Sequence, residues 1–172
     1  MIKFEKVSYD NYIESCDNLF GLNSSFRRFE AEKSYENITI PRRGTARSAG
    51  YDFFWQFKDT VLKSGESIVV PTGIKAQMDN NVFLSILPRS GLGFKYKLGL
   101  YNTVGIIDED YYNNDLNEGH IFIKIVNNGN KDLTLQRGKG YAQGIFMKYL
   151  TTSDDAASGE RKGGIGSTDK NK

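Results

Sequence analysis

The clearest strand pattern in this 172-residue chain is His120-Ile121-Phe122-Ile123-Lys124-Ile125-Val126. Its isoleucines occupy every second position, which places them on one face of an extended strand. From Pro41 onward, more short apolar or alternating runs follow one another, separated by turn residues such as Asp79-Asn80-Asn81. At least about seven short strands, with frequent turns and no long helix, predict an all-β barrel or sandwich.

One pair of these runs carries a more specific prediction. Thr60-Val61-Leu62 and the run at 67–70 are separated by Ser64-Gly65-Glu66. Two short apolar runs joined by a few residues that include glycine are typical of a β-hairpin. We therefore expect these two runs to pair with each other.

Residues 1–40 differ from the rest of the chain and are expected to form an extension before the β domain of residues 41–150. Ser8 is a suitable N-cap for a first helix, and Gly21 is a suitable end. The segment 26–40 is mixed in character and becomes extended at Ile38-Thr39-Ile40. We expect the extension to pack on the domain or to contact a protein partner. Its apolar residues recur at spacings of four, three and four, typical of one helical face: Tyr9, Ile13, Cys16 and Phe20.

Composition narrows the possible classes of protein. A hydrophobic content of 38% with 26% charged residues is typical of a globular domain, and a net charge of +2 does not predict nucleic-acid binding. Cys16 is the sole cysteine and His120 the sole histidine, so no disulfide and no Cys/His metal site is predicted. No apolar run approaches the roughly 18 residues of a membrane span, and the chain starts without a signal-peptide pattern. We expect a cytoplasmic protein.

The stretch 102–111 carries the strongest indication of chemistry. Two apolar residues, Ile106-Ile107, lead directly into Asp108, and Asp110 projects to the same face if the chain stays extended. A carboxylate in that position is expected at the mouth of a pocket, where it can act as a general base or bind a cation, with Tyr111 as the floor. The alternative is a strand that ends in a solvated acidic turn.

Three other stretches carry groups suited to anions. Pro88-Arg89-Ser90-Gly91-Leu92-Gly93 combines a guanidinium, a hydroxyl and glycines that leave backbone N–H groups accessible. The stretch 161–168 offers two cations, three glycines and two hydroxyls, although its spacing is not that of a P-loop. Ser48-Ala49-Gly50-Tyr51-Asp52 adds a carboxylate after a glycine. Taken singly, an ordinary turn, tail or loop would explain each of them.

Together, in their order and spacing, these stretches resemble the trimeric dUTP pyrophosphatase (dUTPase) family over residues 38–169. Five family motifs are matched in turn by residues 48–52, 88–92, 102–111, 138–143 and 161–168. The resemblance implies a jelly-roll-like all-β subunit that assembles as a homotrimer with shared active sites. It also implies hydrolysis of dUTP to dUMP and pyrophosphate with Mg²⁺, and a flexible C-terminal arm, residues 151–172, that closes over the nucleotide.

The resemblance also implies a role for each matched residue. Asp108 would activate the attacking water at the α-phosphorus, and Asp52 would act on Mg²⁺ through a water molecule. Tyr111 would lie against the deoxyribose and leave no room for a 2′-hydroxyl. Uracil would be bound by Asn102, Gly105, Ile106 and Ile107, with Ile165 at the position of a stacking aromatic residue. The phosphates would be bound by Arg89, Ser90, Gly91, Gln143, Arg161, Gly166, Ser167 and Thr168.

The sequence departs from the family pattern at four places. Gly140 stands where the fourth motif usually carries an arginine, for which Arg137 or Lys139 could substitute. Ile165 replaces the usual aromatic residue of the fifth motif, and residues 112–119 contain a small insertion. The N-terminal extension has no counterpart in the motifs.

Two functions from different classes are compatible with this pattern. The first is a working dUTPase. The second is a regulatory or binding protein of the same fold, whose nucleotide pocket acts as a switch and whose extension contacts a partner. The related dCTP deaminases need a different general-base glutamate, so the Asp-x-Asp-Tyr motif argues against them.

Overall fold

The structure is a computed structural model that describes residues 1–22, 24–159 and 161, and this part of the chain folds into twelve strands and three α-helices. The helices are α1 Tyr9–Phe20, α2 Ser25–Glu36 and α3 Ser90–Tyr96, and a 3-10 turn covers Glu109–Tyr111. The strands are β1 Lys3–Lys6, β2 Arg42–Arg43, β3 Tyr51–Phe54, β4 Thr60–Leu62, β5 Ser67–Pro71, β6 Ile74–Gln77, β7 Val82–Pro88, β8 Leu98–Leu100, β9 Gly105–Ile107, β10 Phe122–Asn127, β11 Leu133–Leu135 and β12 Gly140–Lys148.

Two larger antiparallel sheets and two strand pairs form the body of the molecule. The five-stranded sheet has the order β2-β3-β12-β7-β9, and the three-stranded sheet has the order β5-β10-β8. The pairs are β1 with β6 and β4 with β11. Buried side chains from all four belong to one hydrophobic core, so the prediction of a jelly-roll-like all-β fold is confirmed.

The alternation that predicted the central strand is present in the structure. Ile121, Ile123 and Ile125 are fully buried, and the residues between them in β10 are half-buried. Burial on every second residue follows from the pleat of the strand, so β10 presents its isoleucine face to the core.

The predicted hairpin between β4 and β5 is wrong. Leu62 of β4 lies opposite Leu133 of β11, whereas Val70 of β5 lies opposite Ile123 of β10. The turn between them does form, with Gly65 in the left-handed region at φ 80°. This turn carries the chain from one sheet into another, because each strand finds its partner far away in the sequence.

The first helix begins and ends where the sequence predicts. The Ser8 side chain caps α1 by accepting from the Asn11 backbone N–H at 3.2 Å, and Gly21 ends it in the left-handed conformation. Helix α2 was not predicted, and the expected extended segment at 38–40 forms no strand. Among the α2 side chains that the structure describes, Ala31 is the one buried apolar residue, so the apolar periodicity that would indicate a helix is weak.

The residues of the N-terminal extension share the core of the β domain. Strand β1 pairs with β6, and Val7, Tyr12 and Cys16 are fully buried. Burial raises the pKa of the Cys16 thiol to about 11. None of the helices in the described ranges is long and apolar enough to cross a membrane.

Candidate active site

Residues from the first, second and fourth motifs meet around one cavity of about 470 Å³, here called the cationic pocket. Asp52 on β3 pairs with Gln143 on β12, which in turn lies opposite Leu87 on β7. Arg89 directly follows β7, so the three antiparallel strands bring its side chain next to Asp52. The predicted residues that line the cationic pocket are Asp52, Arg89, Ser90, Gly91 and Gln143.

Arg89 is held in place by two interactions inside the cationic pocket. Its Nε lies 2.9 Å from Oδ1 of Asp52, and its Nη1 donates to the Gly140 carbonyl at 3.0 Å. Gln143 Nε2 donates to the Pro88 carbonyl at 3.1 Å. The Arg89 side chain is 40% exposed, so one side of the guanidinium faces solvent and is available to an anion.

Glycine at position 140 leaves room for the side chain of Arg89. A Cβ atom on Gly140 would lie 2.8 Å from Nη1 and 3.2 Å from Cζ of Arg89. A larger residue there would push the guanidinium away. Of the two cations proposed as substitutes, Lys139 lines the pocket, whereas Arg137 donates from Nε to the Phe57 carbonyl at 3.2 Å.

The third motif forms a second cavity of about 270 Å³, here called the apolar pocket. Asn102, Gly105 and Ile107 line it, and a Cβ on Gly105 would lie only 3.1 Å from the Cβ of Ile86. Glycine therefore lets β9 approach β7 closely. Ile106, which was predicted to contact uracil, does not line the apolar pocket and is 52% exposed, because alternation along β9 turns it to the opposite face from Ile107.

Asp108 lies at the end of β9, at the edge of a third cavity of about 440 Å³ that also contains Asp110 and Arg161. Arg161 Nε donates to Oδ1 of Asp110 at 2.7 Å, and its Nη2 pairs with Oδ2 of Asp108. The chain does not stay extended here, because the 3-10 turn begins directly after Asp108, as in the alternative of a strand that ends in an acidic turn. Both carboxylates nevertheless reach the same guanidinium, each about half exposed.

Tyr111 is buried at the end of this turn, with 6% of its surface exposed. Its hydroxyl donates to the His120 carbonyl at 2.9 Å and accepts from Asn117 Nδ2 at 2.8 Å. The guanidinium carbon of Arg161 lies 5.8 Å from the ring centroid. Burial raises the pKa of the Tyr111 phenol, so the hydroxyl stays protonated near neutral pH.

A single chain does not bring Asp108 and Arg89 together. Along the β7–β9 ladder Leu84 lies opposite Ile107, so Asp108 lies beside the start of β7, while Arg89 follows its end. Six residues of strand, from position 83 to 89, correspond to about 20 Å at roughly 3.3 Å each. The cationic pocket and the Asp108 cavity are therefore separate in one subunit.

The side chains of the cationic pocket suit a metal ion whose ligands come mainly from a bound polyphosphate. Asp52 is the one carboxylate among the described residues that line the pocket, and it is already paired with Arg89. Nowhere in the described ranges do three His, Cys, Asp or Glu side chains gather as a cation site. Mg²⁺ is commonly bound by one or two carboxylates together with substrate phosphates and water.

Part of the fifth motif lies outside the described residues. The predicted phosphate and uracil contacts at Ile165, Gly166, Ser167 and Thr168 fall there, and Arg161 is the predicted site residue of the motif that is described.

The sequence analysis missed the residues that hold Tyr111. Asn117 lies in the stretch 112–119, which was interpreted only as a small insertion, and His120 was interpreted as the start of the following strand. Several asparagines followed by Gly119 are a turn signal that could have indicated an ordered loop there.

The cationic pocket, the apolar pocket and the exposed Asp108 lie on one all-β subunit of jelly-roll-like architecture. A sequence model of the dUTPase family matches residues 36–168. The chain therefore belongs to the dUTPase family.

Individual relatives agree with this assignment. The chain is 42% identical over 147 residues to the deoxyuridine 5′-triphosphate nucleotidohydrolase of Lactococcus lactis subsp. lactis (strain IL1403), covering 83% of this chain and 97% of that protein. The enzyme of the same name from Tolumonas auensis (strain DSM 9187 / NBRC 110442 / TA 4) is 38% identical over 136 residues, covering 75% and 86%. Among solved structures, the dUTPase from Streptococcus mutans superimposes with a TM-score of 0.59 at 42% identity, covering 69% of this chain and 91% of that one.

Proposed function

We infer that this chain hydrolyses dUTP to dUMP and pyrophosphate. The observation that carries this inference is the family match over residues 36–168, which spans the cationic pocket, the apolar pocket and Asp108 together. Chain and relative also correspond over nearly the full length of the Lactococcus lactis enzyme.

Asp108 is the proposed general base. Its exposed carboxylate accepts a proton from water as the water oxygen attacks the α-phosphorus. The bond from that phosphorus to the oxygen bridging to the β-phosphate then breaks, and pyrophosphate leaves with the bonding electron pair. A positioned base of this kind contributes a factor of roughly 10²–10⁴ to the rate.

The nucleoside is proposed to bind at the third motif. The apolar pocket is lined by Ile86, Ile107 and Phe122, and Asn102 supplies an amide at its edge. Uracil is proposed to bind there through backbone groups of the 102–108 hairpin. Tyr111 is proposed to lie against the deoxyribose.

The triphosphate is proposed to bind in the cationic pocket. Arg89 supplies a charge-assisted donor pair, Ser90 a hydroxyl and Gln143 an amide, and Lys139 adds a second cation at the rim. Asp52 would hold Mg²⁺ through a water molecule. When bound, this ion supplies positive charge to the phosphates. In the arm, Arg161, Gly166, Ser167 and Thr168 remain the proposed phosphate contacts, with Ile165 against the base.

The active site is proposed to be shared between subunits of a homotrimer. Attack at the α-phosphorus needs the reacting atoms within roughly 3–3.5 Å, while the phosphate ligands must reach the same nucleotide. The separation of about 20 Å between Asp108 and Arg89 along one β7 strand is too large for this. A second chain that places its cationic pocket beside Asp108 removes the difficulty.

Two further expectations from the sequence stay proposals. A cytoplasmic location rests on the single, buried Cys16 and on the nucleotide substrate. A protein partner for residues 1–40 rests on the absence of this segment from the family motifs, and both α1 and α2 have exposed residues that could contact it.

A pyrophosphate-release assay with dUTP, UTP, dTTP and dCTP tests the proposed function. We expect turnover with dUTP and little with the other three. Asp108→Asn is the matched control, since it keeps the shape of the side chain and removes the base. Failure of the wild-type protein to release pyrophosphate from dUTP, or equal turnover of all four nucleotides, would contradict the proposal.

A further inference from the structure

The loop that follows Tyr111, residues 112–120 and here called the asparagine loop, holds Tyr111 at both ends. Asn117 Nδ2 donates to the Tyr111 hydroxyl at 2.8 Å, and Asn114 Nδ2 donates to the Tyr111 carbonyl at 2.8 Å. The hydroxyl in turn donates to the carbonyl of His120. A buried phenol with both its donor and its acceptor function satisfied has one favoured ring position.

The backbone of the asparagine loop is tightly constrained. Asn113, Glu118 and Gly119 all have left-handed φ values, of 55°, 58° and 80°. A Cβ on Gly119 would lie 2.6 Å from the Tyr111 carbonyl oxygen, so the backbone of the loop packs directly against the backbone of Tyr111. Asn117 Oδ1 also accepts from Asn114 Nδ2 at 2.8 Å.

Ser8, the N-cap of α1, and Ser15 within α1 connect this loop to the N-terminal extension by hydrogen bonds. The Ser8 backbone N–H donates to Glu118 Oε2 at 3.0 Å, and the Ser8 hydroxyl donates to the other carboxylate oxygen. Ser15 lies 3.1 Å from Nδ1 of the buried His120. Because the Gly73 N–H donates to Nε2 at 2.8 Å, the ring proton is on Nδ1 and donates to Ser15.

A third connection to the extension lies at the start of the loop. The Tyr112 hydroxyl donates to the carboxylate of Glu5 on β1. Lys75 on β6 also donates to Asn113 Oδ1 at 2.7 Å, and its Nζ lies 3.3 Å from Glu118 Oε2. Residues of the extension and of β6 therefore contact both the beginning and the end of the asparagine loop.

We propose that the N-terminal extension, acting through the asparagine loop, fixes the ring of Tyr111 and so sets how strictly the site selects deoxyribose over ribose. Asn117 and Glu118 are positioning residues in this arrangement, because they reach the nucleotide only through Tyr111. The family match begins at residue 36, so β1, α1 and most of α2 lie before it. The inference rests on the proposed dUTPase function and adds a specificity device to the same site.

The first test is a double-mutant cycle in the full-length protein. Asn117→Ala should raise KM for dUTP and the ratio of UTP to dUTP kcat/KM by about three- to tenfold, the effect of losing one hydrogen bond. Tyr111→Phe should change the ratio similarly. If Asn117 acts through the hydroxyl, adding Asn117→Ala to Tyr111→Phe should leave the ratio unchanged. If the change of the ratio in the double variant equals the product of the changes in the two single variants, the proposal is overturned.

The second test uses one substitution at two helix caps. Aspartate caps helices about as well as serine, so Ser8→Asp keeps α1 capped but sets a carboxylate against Glu118. Ser24→Asp is the matched control, since Ser24 caps α2 by accepting from Arg27 N–H at 3.2 Å and has no contact with the loop. We expect a raised UTP-to-dUTP ratio in Ser8→Asp alone.

The outcomes separate the specificity device from the proposed function. A wild-type protein without dUTP turnover would contradict the proposed function and, with it, this inference. An active wild type in which Ser8→Asp and Asn117→Ala lower kcat/KM for both nucleotides equally would overturn the inference alone. Melting temperatures at equal protein concentration show whether a variant has lost stability, which would move both activities in parallel.

Discussion

Asp108 and Arg89 lie beside opposite ends of strand β7, about 20 Å apart along the strand direction. In the proposed reaction both residues act on one triphosphate, Asp108 at the α-phosphorus and Arg89 on the phosphate oxygens. The proposal therefore requires that each active site takes the two residues from different subunits.

Subunit mixing should restore activity to two inactive variants. Asp108→Asn lacks the base and Arg89→Ala lacks the phosphate ligand, but a mixed oligomer contains some sites with an intact residue from each chain. We expect co-expression of the two variants to recover a substantial fraction of the wild-type pyrophosphate release. Co-expression of Asp108→Asn with Asp108→Ala is the control, and recovery there, or none in the first mixture, contradicts a shared site.

Asp108→Asn should lower kcat for dUTP by at least about 10²-fold, the contribution expected of a general base. Binding should persist, since the amide keeps the size of the carboxylate, and isothermal titration with a non-hydrolysable dUTP analogue would measure it. Asp110→Asn is the neighbouring control: Asp110 also pairs with Arg161, but it is not the proposed base. A loss of equal size in both variants would assign the effect to the pairing with Arg161.

Gly140→Ala should weaken substrate binding with little effect on stability. Its Cβ would lie 2.8 Å from Nη1 of Arg89, and the end of a long side chain can move away at small cost. The displaced guanidinium should raise KM for dUTP several-fold, as measured by steady-state kinetics. Gly93→Ala is the matched control, because Gly93 does not line the cationic pocket and a Cβ there would come no closer than 3.7 Å, to the Leu98 carbonyl oxygen. An unchanged KM in Gly140→Ala would show that Arg89 tolerates the shift.

His120 should make the protein less stable in mild acid. Burial lowers the pKa of His120 from 6.5 to about 3, with Glu118 opposing the shift. Between these values the unfolded chain binds a proton that the folded chain excludes, so the free energy of unfolding falls as pH falls. From pH 7.5 to 5.5 the expected loss is about 1.4 kcal/mol.

Urea unfolding at the two pH values and one protein concentration measures this loss. The comparison variant is His120→Gln, which has no group that titrates in this range. It should be less stable than the wild type at pH 7.5 and should show a smaller change between pH 7.5 and 5.5. Equal changes in the two proteins would show that His120 is not responsible.

Features with a local cause could be predicted from the residues alone. The isoleucines of β10 alternate because a pleated strand exposes every second side chain, and that period is visible without a structure. Helix α1 was predicted from its apolar spacing, with Ser8 and Gly21 at its ends, because caps act on backbone groups only a few residues away. The family motifs carry their residue types in order, so the site residues could be named before their positions were known.

Which distant segments meet depends on packing across the whole domain. Strand β4 pairs with β11 rather than with β5, because a turn signal determines where the chain reverses and not which edge is free to accept a strand. Asp108 ends an extended segment just before a 3-10 turn, and the sequence pattern there also fits a continuing strand. Contacts between residues far apart in sequence have no period that a local pattern could show.

The same reason explains the parts of the site that the sequence did not predict. His120 is a single histidine in the sequence, and its partners Gly73 and Ser15 lie 47 and 105 residues away. The distance between Asp108 and Arg89 depends on the register of β9 against β7, which is set by packing across the sheet. Residue types determined which chemistry is available, and strand pairing decided that one chain holds it in two separate places.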